Sequence, residues 1–395
     1  MVPNSGYCNS ATGTVEAHRG AGGYAVLVSG ESSVLAQLED ALARIEDPEL
    51  HRPMMQLRML KNLRLEGTVA RVKVILTTPA CPLKDRIQGD IEAAVLGKVP
   101  GVESVQLEWG SDVSRTRGVT GRQDVPGVRN TVAVSAGKGG VGKTTVAVNL
   151  AFALLQTGAR VGLLDADIYG PNVPIMLGIT EAPSAVEGRM MPHLVDGLKV
   201  VSIGTIIDPE KPVIWRGPLL AGALRQFLFD VEWGELDYLI CDLPPGTGDV
   251  QLTLAQSIPL TGTVIVTTPQ DVSLADVGRG IAMFEQLRVP VLGVIENMSG
   301  FVCPHCGEVT DVFSRGGGRQ LAEARELPFL GEIPLDPRVR LGGGAGRPLV
   351  LDDPEAPQAR IFRDLAAAVA GQISQVNFAS QQAPEMPAGP RVRLG

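Results

Sequence analysis

The sequence contains little cysteine and has no long apolar run. Five cysteines occur in 395 residues, and so few in a chain of this length indicate metal or redox sites and not a disulfide framework. No apolar stretch approaches the length that crosses a membrane. The first residues also lack the basic and then apolar pattern of a signal peptide. We therefore expect a soluble, cytoplasmic protein without a membrane partner.

An excess of basic residues is also missing. Lysine and arginine number 35 against 43 aspartates and glutamates, which gives a formal net charge of -8. A general nucleic-acid-binding protein needs basic surface to meet phosphates, so this balance argues against a nucleic-acid partner. The hydrophobic fraction of 44% and the charged fraction of 20% are ordinary for a globular protein. The length allows two or three domains.

Residues 31–110 predict a small α+β domain. Apolar residues from Val34 to Ile45 recur at helical spacing, and Asp47-Pro48 is expected to end that helix. Alternation of apolar and polar residues predicts strands at 70–76 and 105–109. A second helix is predicted between these strands.

Three segments predict no regular structure. Residues 1–30 are rich in Gly, Ser, Ala and Asn and are expected to form a disordered leader. Residues 111–129 carry Gly, Pro and four Arg, which is the composition of a linker. Residues 376–395 are expected to form a disordered tail.

Residues 130–375 predict an α/β domain. Apolar stretches typical of buried parallel strands recur along it: Val161–Asp167, Asp237–Asp242, Thr263–Thr268 and Val291–Asn297. Their alternation with helical segments predicts a mostly parallel sheet with helices on both faces.

A glycine-rich segment in this domain has the spacing of a phosphate-binding loop. Gly137-x4-Gly142-Lys143-Thr144 follows a predicted strand and precedes a predicted helix. Glycines let backbone N–H groups turn toward phosphate oxygens, and the helix N-terminus adds partial positive charge. In such a loop Lys143 bridges the β- and γ-phosphates and Thr144 holds Mg²⁺. The alternative is a chance glycine turn, and the flanking strand and helix argue against it.

Carboxylates are expected at the same edge of the sheet. Asp242 ends an apolar strand, where a second carboxylate on the Mg²⁺ side belongs. Asp165 and Asp167 follow another strand, and either can position the attacking water. For Asp165, a role in capping or loop structure is an equal alternative.

Cys303 and Cys306 form a Cys-x-x-Cys pair. Such a pair can chelate one metal or form a redox disulfide. One chain supplies two of the four cysteines that a 4Fe–4S cluster usually takes, and two copies related by a twofold axis supply four. From the spacing alone, zinc ranks above an iron–sulfur cluster. We interpret His305 as a loop residue and not as a ligand.

Other residues leave more than one interpretation open. Cys81 lies between a predicted strand and a predicted helix, and a reactive thiol and a structural role are equal alternatives. Cys241 is expected in the core, and Cys8 is expected to have no specific role. Trp215 and Arg216 fit a packed loop or a conformational relay equally well.

These motifs together resemble a known family. The segment from Gly137 to Thr144 is similar to the deviant Walker A motif of the MinD/ParA class of P-loop ATPases. The stretch from Val128 to Val350 resembles the Mrp/ApbC family of iron–sulfur cluster carriers. The motifs that carry this resemblance are LLDADIYGPN, VIWRGP, YLICDLPPGTGDVQLTLAQ, VTTPQDVSLADV and GVIENMSGFVCPHCG. The N-terminal DPEL and LTTPACPLKDRI resemble a SufT-type domain. After DPEL the chain departs from that pattern, since Arg58 stands at the usual glycine.

The resemblance implies an ATPase that couples ATP hydrolysis to loading or transfer of a cluster to recipient apoproteins. Lys138 matches a lysine that reaches the partner's nucleotide in a homodimer. Asp167 matches the carboxylate that positions the attacking water, and Asn297 matches the residue that reads the adenine ring. Cys303 and Cys306 match the ligands of a 4Fe–4S cluster, which reverses the ranking of zinc. The implied ATP-binding residues are Gly137, Lys138, Gly139, Gly140, Val141, Gly142, Lys143, Thr144, Thr145 and Asn297, and the implied Mg²⁺ ligands are Thr144 and Asp242.

Two other functions compete with this one. A positioning ATPase of the MinD or ParA kind uses an amphipathic tail or a basic DNA-binding surface, whereas APEMPAGPRVRLG has no amphipathic helix and the chain is acidic. A zinc-stabilised or redox regulatory protein would use the same two thiols.

Overall fold

Two main β-sheets organise the chain, which a computed structural model describes at residues 29–116, 123–206, 217–303 and 305–382. The predictions for residues 1–28, which include Cys8, and for Trp215 and Arg216 lie outside these ranges.

The N-terminal unit is a small α+β domain, as predicted. Its elements are α1 (Ser29–Leu42), β1 (Glu46–Asp47), β2 (Arg52–Pro53), β3 (Leu60–Glu66), β4 (Val69–Leu76), α2 (Lys84–Lys98) and β5 (Ser104–Ser111). Strand β4 pairs antiparallel with β3 and parallel with β5, and α2 makes the crossover between β4 and β5. Both helices pack on one face of this sheet, around Leu38, Val72 and Ile91.

The predicted first helix was too long. Helix α1 ends at Leu42, and Ile45 instead lies in a turn whose carbonyl oxygen accepts a hydrogen bond from Met54 N. Ile45 still fills the core of the small domain, so its apolar character continued the helical pattern beyond the end of the helix. Strand β3 was missed because charged residues interrupt its alternation.

The C-terminal unit contains the remaining elements. Its strands are β6 (Val128–Ala136), β7 (Val161–Asp165), β8 (Ala185–Val186), β9 (Arg189–Met190), β10 (His193–Val195), β11 (Leu198–Ser202), β12 (Leu236–Asp242), β13 (Gly262–Thr267), β14 (Val291–Val302), β15 (Val309–Thr310) and β16 (Phe329–Leu335). Its helices are α3 (Lys143–Gln156), α4 (Val173–Leu177), α5 (Gly217–Phe229), α6 (Asp249–Ser257), α7 (Asp271–Gln286), α8 (Gly317–Ala324), α9 (Pro337–Gly344), α10 (Leu349–Asp352) and α11 (Pro357–Gln382).

The large sheet is mostly parallel. Its order is β10-β11-β7-β12-β6-β13-β14, and β14 also pairs with β15 and β16. Only β10 and β15, at the margins, run antiparallel to their neighbours among the described strands. Because β6, β7 and β12 run in the same direction, their carboxyl ends meet at one edge of the sheet.

Helices cover both faces of this sheet, which confirms the predicted fold class. Successive residues of a strand point to opposite faces, and on β12 Tyr238 and Ile240 enter one buried cluster while Leu239 and Cys241 enter the other. Helices α3 and α11 cover the first face, and α5, α6 and α7 cover the second. In the described ranges, no helix has the length and apolarity that a membrane crossing needs.

The segments expected to be irregular are partly ordered. Helix α11 continues to Gln382, so the tail predicted from residue 376 is helical over its first seven residues. Asn377 is fully buried and hydrogen-bonds Ser114 O at 2.9 Å and Asn130 Oδ1 at 2.9 Å. The described ends of the predicted linker also pack, since Val113 and Val125 are buried. The polar residues of the last turns suggested an exposed tail, but they make a buried hydrogen-bond network.

The two domains contact each other directly. The Tyr238 hydroxyl lies 3.2 Å from Thr78 Oγ1, and Gln375 Nε2 donates to Glu49 O at 3.2 Å. Ala80 belongs to the apolar cluster of the large domain. The loop before α2 is therefore fixed against the large domain, at the end of β12 opposite to Asp242.

Candidate functional site

The phosphate-binding loop joins β6 to α3, as the sequence predicted. It passes through Gly140 and Gly142 with φ of 84° and 81°, where a side chain would be strained. A Cβ atom at Gly142 would also lie 2.2 Å from Asn297 Nδ2. Glycine is therefore required here both for the backbone turn and for the approach of β14.

A cavity of about 720 Å³ opens over this loop, and its volume suits a nucleotide-sized ligand. Carboxyl ends of strands, the loop and the N-terminus of α3 meet there, which is where α/β folds bind ligands. The predicted site residues that line the cavity are Lys138, Gly139, Gly140, Gly142, Lys143, Thr144, Thr145, Asp167 and Asn297. Gly137 and Val141 complete the loop without lining the cavity, since Val141 is buried in the core.

Lys143 joins a carboxylate at the end of β12 to one that follows β7. Its Nζ lies 2.5 Å from Asp242 Oδ1 and 3.4 Å from Asp167 Oδ2. Thr144 Oγ1 donates to Asp242 Oδ2 at 2.7 Å. Burial raises the pKa of Asp242, while the Lys143 charge and the Thr144 hydrogen bond act in the opposite direction. The structure thus places one cation, one hydroxyl and two carboxylates together at the floor of the cavity.

Asp165 and Asp167 have different surroundings. Asp165 is fully buried, and its oxygens accept hydrogen bonds from Asp167 N, Val173 N and the Ser202 hydroxyl. Burial, followed by the nearby Asp242 charge, raises the pKa of Asp165. Asp167 instead lines the cavity. Of the two roles left open for Asp165, its geometry favours loop structure.

Lys138 and Asn297 both relate the loop to the side of the sheet formed by β13 and β14. Lys138 is half-buried, and its Nζ lies 3.5 Å from Gln270 Oε1 after β13. Asn297, on β14, donates from Nδ2 to the Val141 carbonyl oxygen at 2.8 Å. Asn297 therefore connects the phosphate-binding loop to the strand that leads to the cysteine pair.

The cysteine pair lies on a turn that follows β14. Cys303 N donates to Glu308 O, and Gly307 N donates to Cys303 O, both at 2.9 Å. Cys303 is half-buried and Cys306 is exposed. Backbone N–H groups of Cys306 and His305, with the Cys306 side chain, lower the pKa of Cys303 below its usual range. This turn favours the thiolate form that binds metal.

The described residues provide no third ligand for this pair. No group of three or more His, Cys, Asp or Glu side chains in those ranges is arranged to hold a metal. Exposed apolar residues flank the pair in the sequence, and Val302, Val309 and Val312 are 42%, 55% and 51% exposed. A metal ion held by this pair would need further ligands from outside the described residues.

Cys81 lies in a different environment. Burial first, and then the charges of Glu49 and Asp47, raise its pKa to about 12. The thiol is 3.8 Å from Glu49 Oε1, and at neutral pH it is protonated. Of the two roles open for Cys81, these surroundings favour the structural one. Cys241 is fully buried in the core, as expected.

Sequence reasoning missed Glu296. This residue is fully buried on β14 and hydrogen-bonds Ser299, Gly316 and Gly318. The sequence signal for this role was a glutamate within an otherwise apolar strand. A carboxylate buried in this way requires several hydrogen-bond donors around it.

Comparison with known proteins agrees with this arrangement. Residues 127–370 match the family described as NUBPL iron-transfer P-loop NTPase, and residues 35–108 match the family described as iron-sulfur cluster assembly protein. A protein of Deinococcus radiodurans named iron-sulfur cluster carrier protein is 53% identical over 336 residues, which are 85% of this chain and 94% of that protein. A protein of Synechocystis with the same name is 48% identical over 339 residues, covering 84% of this chain and 96% of that protein.

A solved structure shows the same fold for the large domain. A nucleotide-binding protein from Archaeoglobus fulgidus, in complex with ADP, is 39% identical and superposes with a TM-score of 0.54. The match covers 60% of this chain and 93% of that protein. The chain therefore belongs to the family of NUBPL iron-transfer P-loop NTPases.

Proposed function

We propose that this protein is an ATP-hydrolysing iron–sulfur cluster carrier, in which ATP hydrolysis is coupled to loading of a cluster or its transfer to recipient apoproteins. The observation that carries the proposal is the course of β14. Asn297 on this strand contacts the phosphate-binding loop, and Cys303 follows the same strand after Val302. One element thus joins the nucleotide cavity to the cysteine pair.

ATP is bound by the loop and oriented by Lys143. Backbone N–H groups of the loop and the N-terminus of α3 face the phosphates, and Lys143 pairs with the β- and γ-phosphates. Asn297, at the rim of the cavity, reads the adenine ring. These contacts hold the γ-phosphate near the carboxylate of Asp167.

Asp167 orients the water that attacks the γ-phosphorus. Its Oδ1 accepts hydrogen bonds from Tyr169 N and Gly170 N at 3.2 and 3.3 Å, which leave Oδ2 directed toward the Lys143 ammonium. The water oxygen forms a bond to phosphorus, the bond to the β-phosphate oxygen breaks, and ADP leaves with that electron pair. The proton of the water passes to the released phosphate.

The residues present fit a Mg²⁺ ion. Thr144 and Asp242 supply oxygen atoms 2.7 Å apart beside the cavity, and oxygen is the ligand that Mg²⁺ prefers. When bound, the ion neutralises charge on the phosphate oxygens.

The cluster is the cargo of the protein and requires two copies of the chain. We propose that Cys303 and Cys306 from each subunit hold one 4Fe–4S cluster across a twofold axis. The exposed Val302, Val309 and Val312 around the turn provide apolar surface for a second copy. Lys138, whose described contact is with Gln270 outside its own loop, extends to the nucleotide of the partner subunit. We place the carrier in the cytoplasm, where thiols stay reduced.

Anaerobic reconstitution tests this function. The full-length protein is incubated with iron and sulfide, and transfer to an apo-ferredoxin is followed by visible absorption with and without ATP. We expect cluster binding in the wild type and transfer that responds to ATP, with neither in Cys303→Ala. Stoichiometric zinc without iron uptake would reject the proposal and leave an NTPase with a structural thiol pair.

A further inference from the structure

Glu296 forms hydrogen bonds at both ends of the segment that carries the cysteine pair. We define residues 298–303 and 305–316 as the cysteine arm. Glu296 Oε1 accepts from Ser299 Oγ at 2.6 Å and from Gly316 N at 2.8 Å, while Oε2 accepts from Gly318 N at 2.5 Å. Ser299 is the second residue of the arm and Gly316 is its last, so one carboxylate holds the two ends together.

A second carboxylate reinforces this base. The Ser299 hydroxyl lies between Glu296 and Glu332, at 3.1 Å from Glu332 Oε2. Glu332, on β16, is paired with Arg315 at the other end of the arm. The arm therefore has a fixed polar base, although Cys306 on its turn is exposed.

The backbone turns sharply at both ends of the arm. Met298 and Ser314 have φ of 58° and 73°, a left-handed conformation that costs about 1 kcal/mol or more for residues other than glycine. Such a conformation persists only where surrounding contacts impose it, and here the contacts around Glu296 do so. A change in these contacts would allow the arm to relax.

Glu296 is also adjacent to the nucleotide cavity. The next residue, Asn297, lines the cavity and donates to Val141 O of the phosphate-binding loop. A shift of β14 at Asn297 would act on the neighbouring Glu296 carboxylate and on the three groups that it holds. The contacts of Glu296 therefore link both ends of the cysteine arm to the strand that lines the cavity.

We propose that Glu296 is a positioning residue that couples the nucleotide cavity to the cysteine pair. Nucleotide binding changes the exposure of Cys303 and Cys306 through the base of the arm. The role of this coupling rests on the proposed function, since an arm that responds to nucleotide can hold or release a cluster. A purely structural Glu296 would support stability without affecting this response.

The test uses the full-length, reduced protein without a cluster. Labelling of Cys303 and Cys306 by N-ethylmaleimide is timed by mass spectrometry, with and without ADP or a non-hydrolysable ATP analogue. We expect nucleotide to change the labelling rate of the pair by about fivefold in the wild type. In Glu296→Gln that ratio should fall close to one, while nucleotide affinity is retained. The exposed Glu323→Gln in α8 is the matched control and should behave as the wild type.

A second variant covers the case in which Glu296→Gln does not fold. A Cβ atom at Gly318 would lie 3.1 Å from Glu296 Oε2, so Gly318→Ala disturbs the base and leaves the carboxylate in place. It should weaken the response in the same way. A wild type that labels equally with and without nucleotide, a full response in the variants, or loss of nucleotide binding in folded Glu296→Gln would overturn the inference. Failure of cluster binding would reject the carrier function without changing these labelling rates.

Discussion

The ammonium group of Lys143 lies 2.5 Å from the carboxylate of Asp242, in a pair where the side chains are 5% and 0% exposed. The pair joins the first residue of α3 to the last residue of β12. Removing one partner of a buried ion pair leaves the other charge buried and uncompensated, which destabilises the fold. This contact therefore links the folding of the site to its chemistry.

Lys143→Ala should abolish ATP hydrolysis, because the phosphates lose their cation. It should also lower the free energy of unfolding by about 3 kcal/mol, because Asp242 remains buried without its partner. Phosphate release and urea denaturation measure the two effects, and Lys98→Ala, at an exposed site in α2, should change neither. Normal turnover in Lys143→Ala would reject the assignment of the loop.

Asp167→Asn should bind ATP and hydrolyse it poorly. Asparagine keeps an oxygen for Tyr169 N and Gly170 N but cannot act on the attacking water as a carboxylate does, so turnover should fall by about 100-fold. Calorimetric titration and single-turnover kinetics separate binding from chemistry. Asp165→Asn should instead reduce stability, since its amide would meet the donors Val173 N or Ser202 Oγ. Loss of ATP binding in folded Asp167→Asn would contradict this role.

Lys138→Ala should leave ATP affinity nearly unchanged and lower turnover by about tenfold or more. Lys143 already serves the phosphates within the same loop, whereas Lys138 is proposed to act on the partner's nucleotide. Turnover should therefore depend on protein concentration in the wild type and less so in the variant. A protein that sediments strictly as a monomer with both ATP and cluster present would remove the basis for this prediction.

Glu49 should make stability depend on pH. Burial, and then the Asp47 charge, raise its pKa from 4.5 to about 7 in the folded protein. Between these values the folded chain keeps a proton that the unfolded chain releases, so the free energy of unfolding falls as pH rises through this window. We expect Glu49 to contribute about 2 kcal/mol to the loss between pH 4.5 and pH 8, after allowance for partial solvent contact.

Urea denaturation at these two pH values measures the Glu49 effect. Glu49→Gln should reduce the fall by about 2 kcal/mol and leave the part that comes from Asp165 and Asp242, whose pKa values burial also raises, whereas Glu39→Gln, at an exposed site in α1, should retain the whole of it. An unchanged pH dependence in Glu49→Gln would show that another group titrates.

Sequence patterns predicted the elements whose surroundings are simple. The strands of the large sheet are buried on both faces, so β12 and β13 appear as continuous apolar runs. The loop from Gly137 to Thr144 was found because phosphate binding imposes fixed spacing. The family resemblance, and not the spacing, ranked the iron–sulfur cluster above zinc for Cys303 and Cys306.

The missed features depend on contacts distant in sequence. Asn377 is buried because Ser114 and Asn130 provide partners, and no local pattern near residue 377 reports them. The surroundings of Glu296 combine β14, the cysteine arm and α8 in the same way. Cys81 was open to two interpretations because its pKa depends first on burial and then on the charge of Glu49, which lies 32 residues earlier in the chain.

Iron content and Mössbauer spectra of the reconstituted protein test the carrier function most directly, with Cys303→Ala, Cys306→Ala and Cys81→Ala measured beside the wild type. We predict one 4Fe–4S cluster per dimer in the wild type, because two thiolates from each chain complete four ligands. Each of the first two variants should lose the cluster and keep nucleotide binding, whereas Cys81→Ala should retain both. A cluster retained when Cys303 and Cys306 are both replaced, or tight zinc binding with no iron uptake in the wild type, would contradict the account.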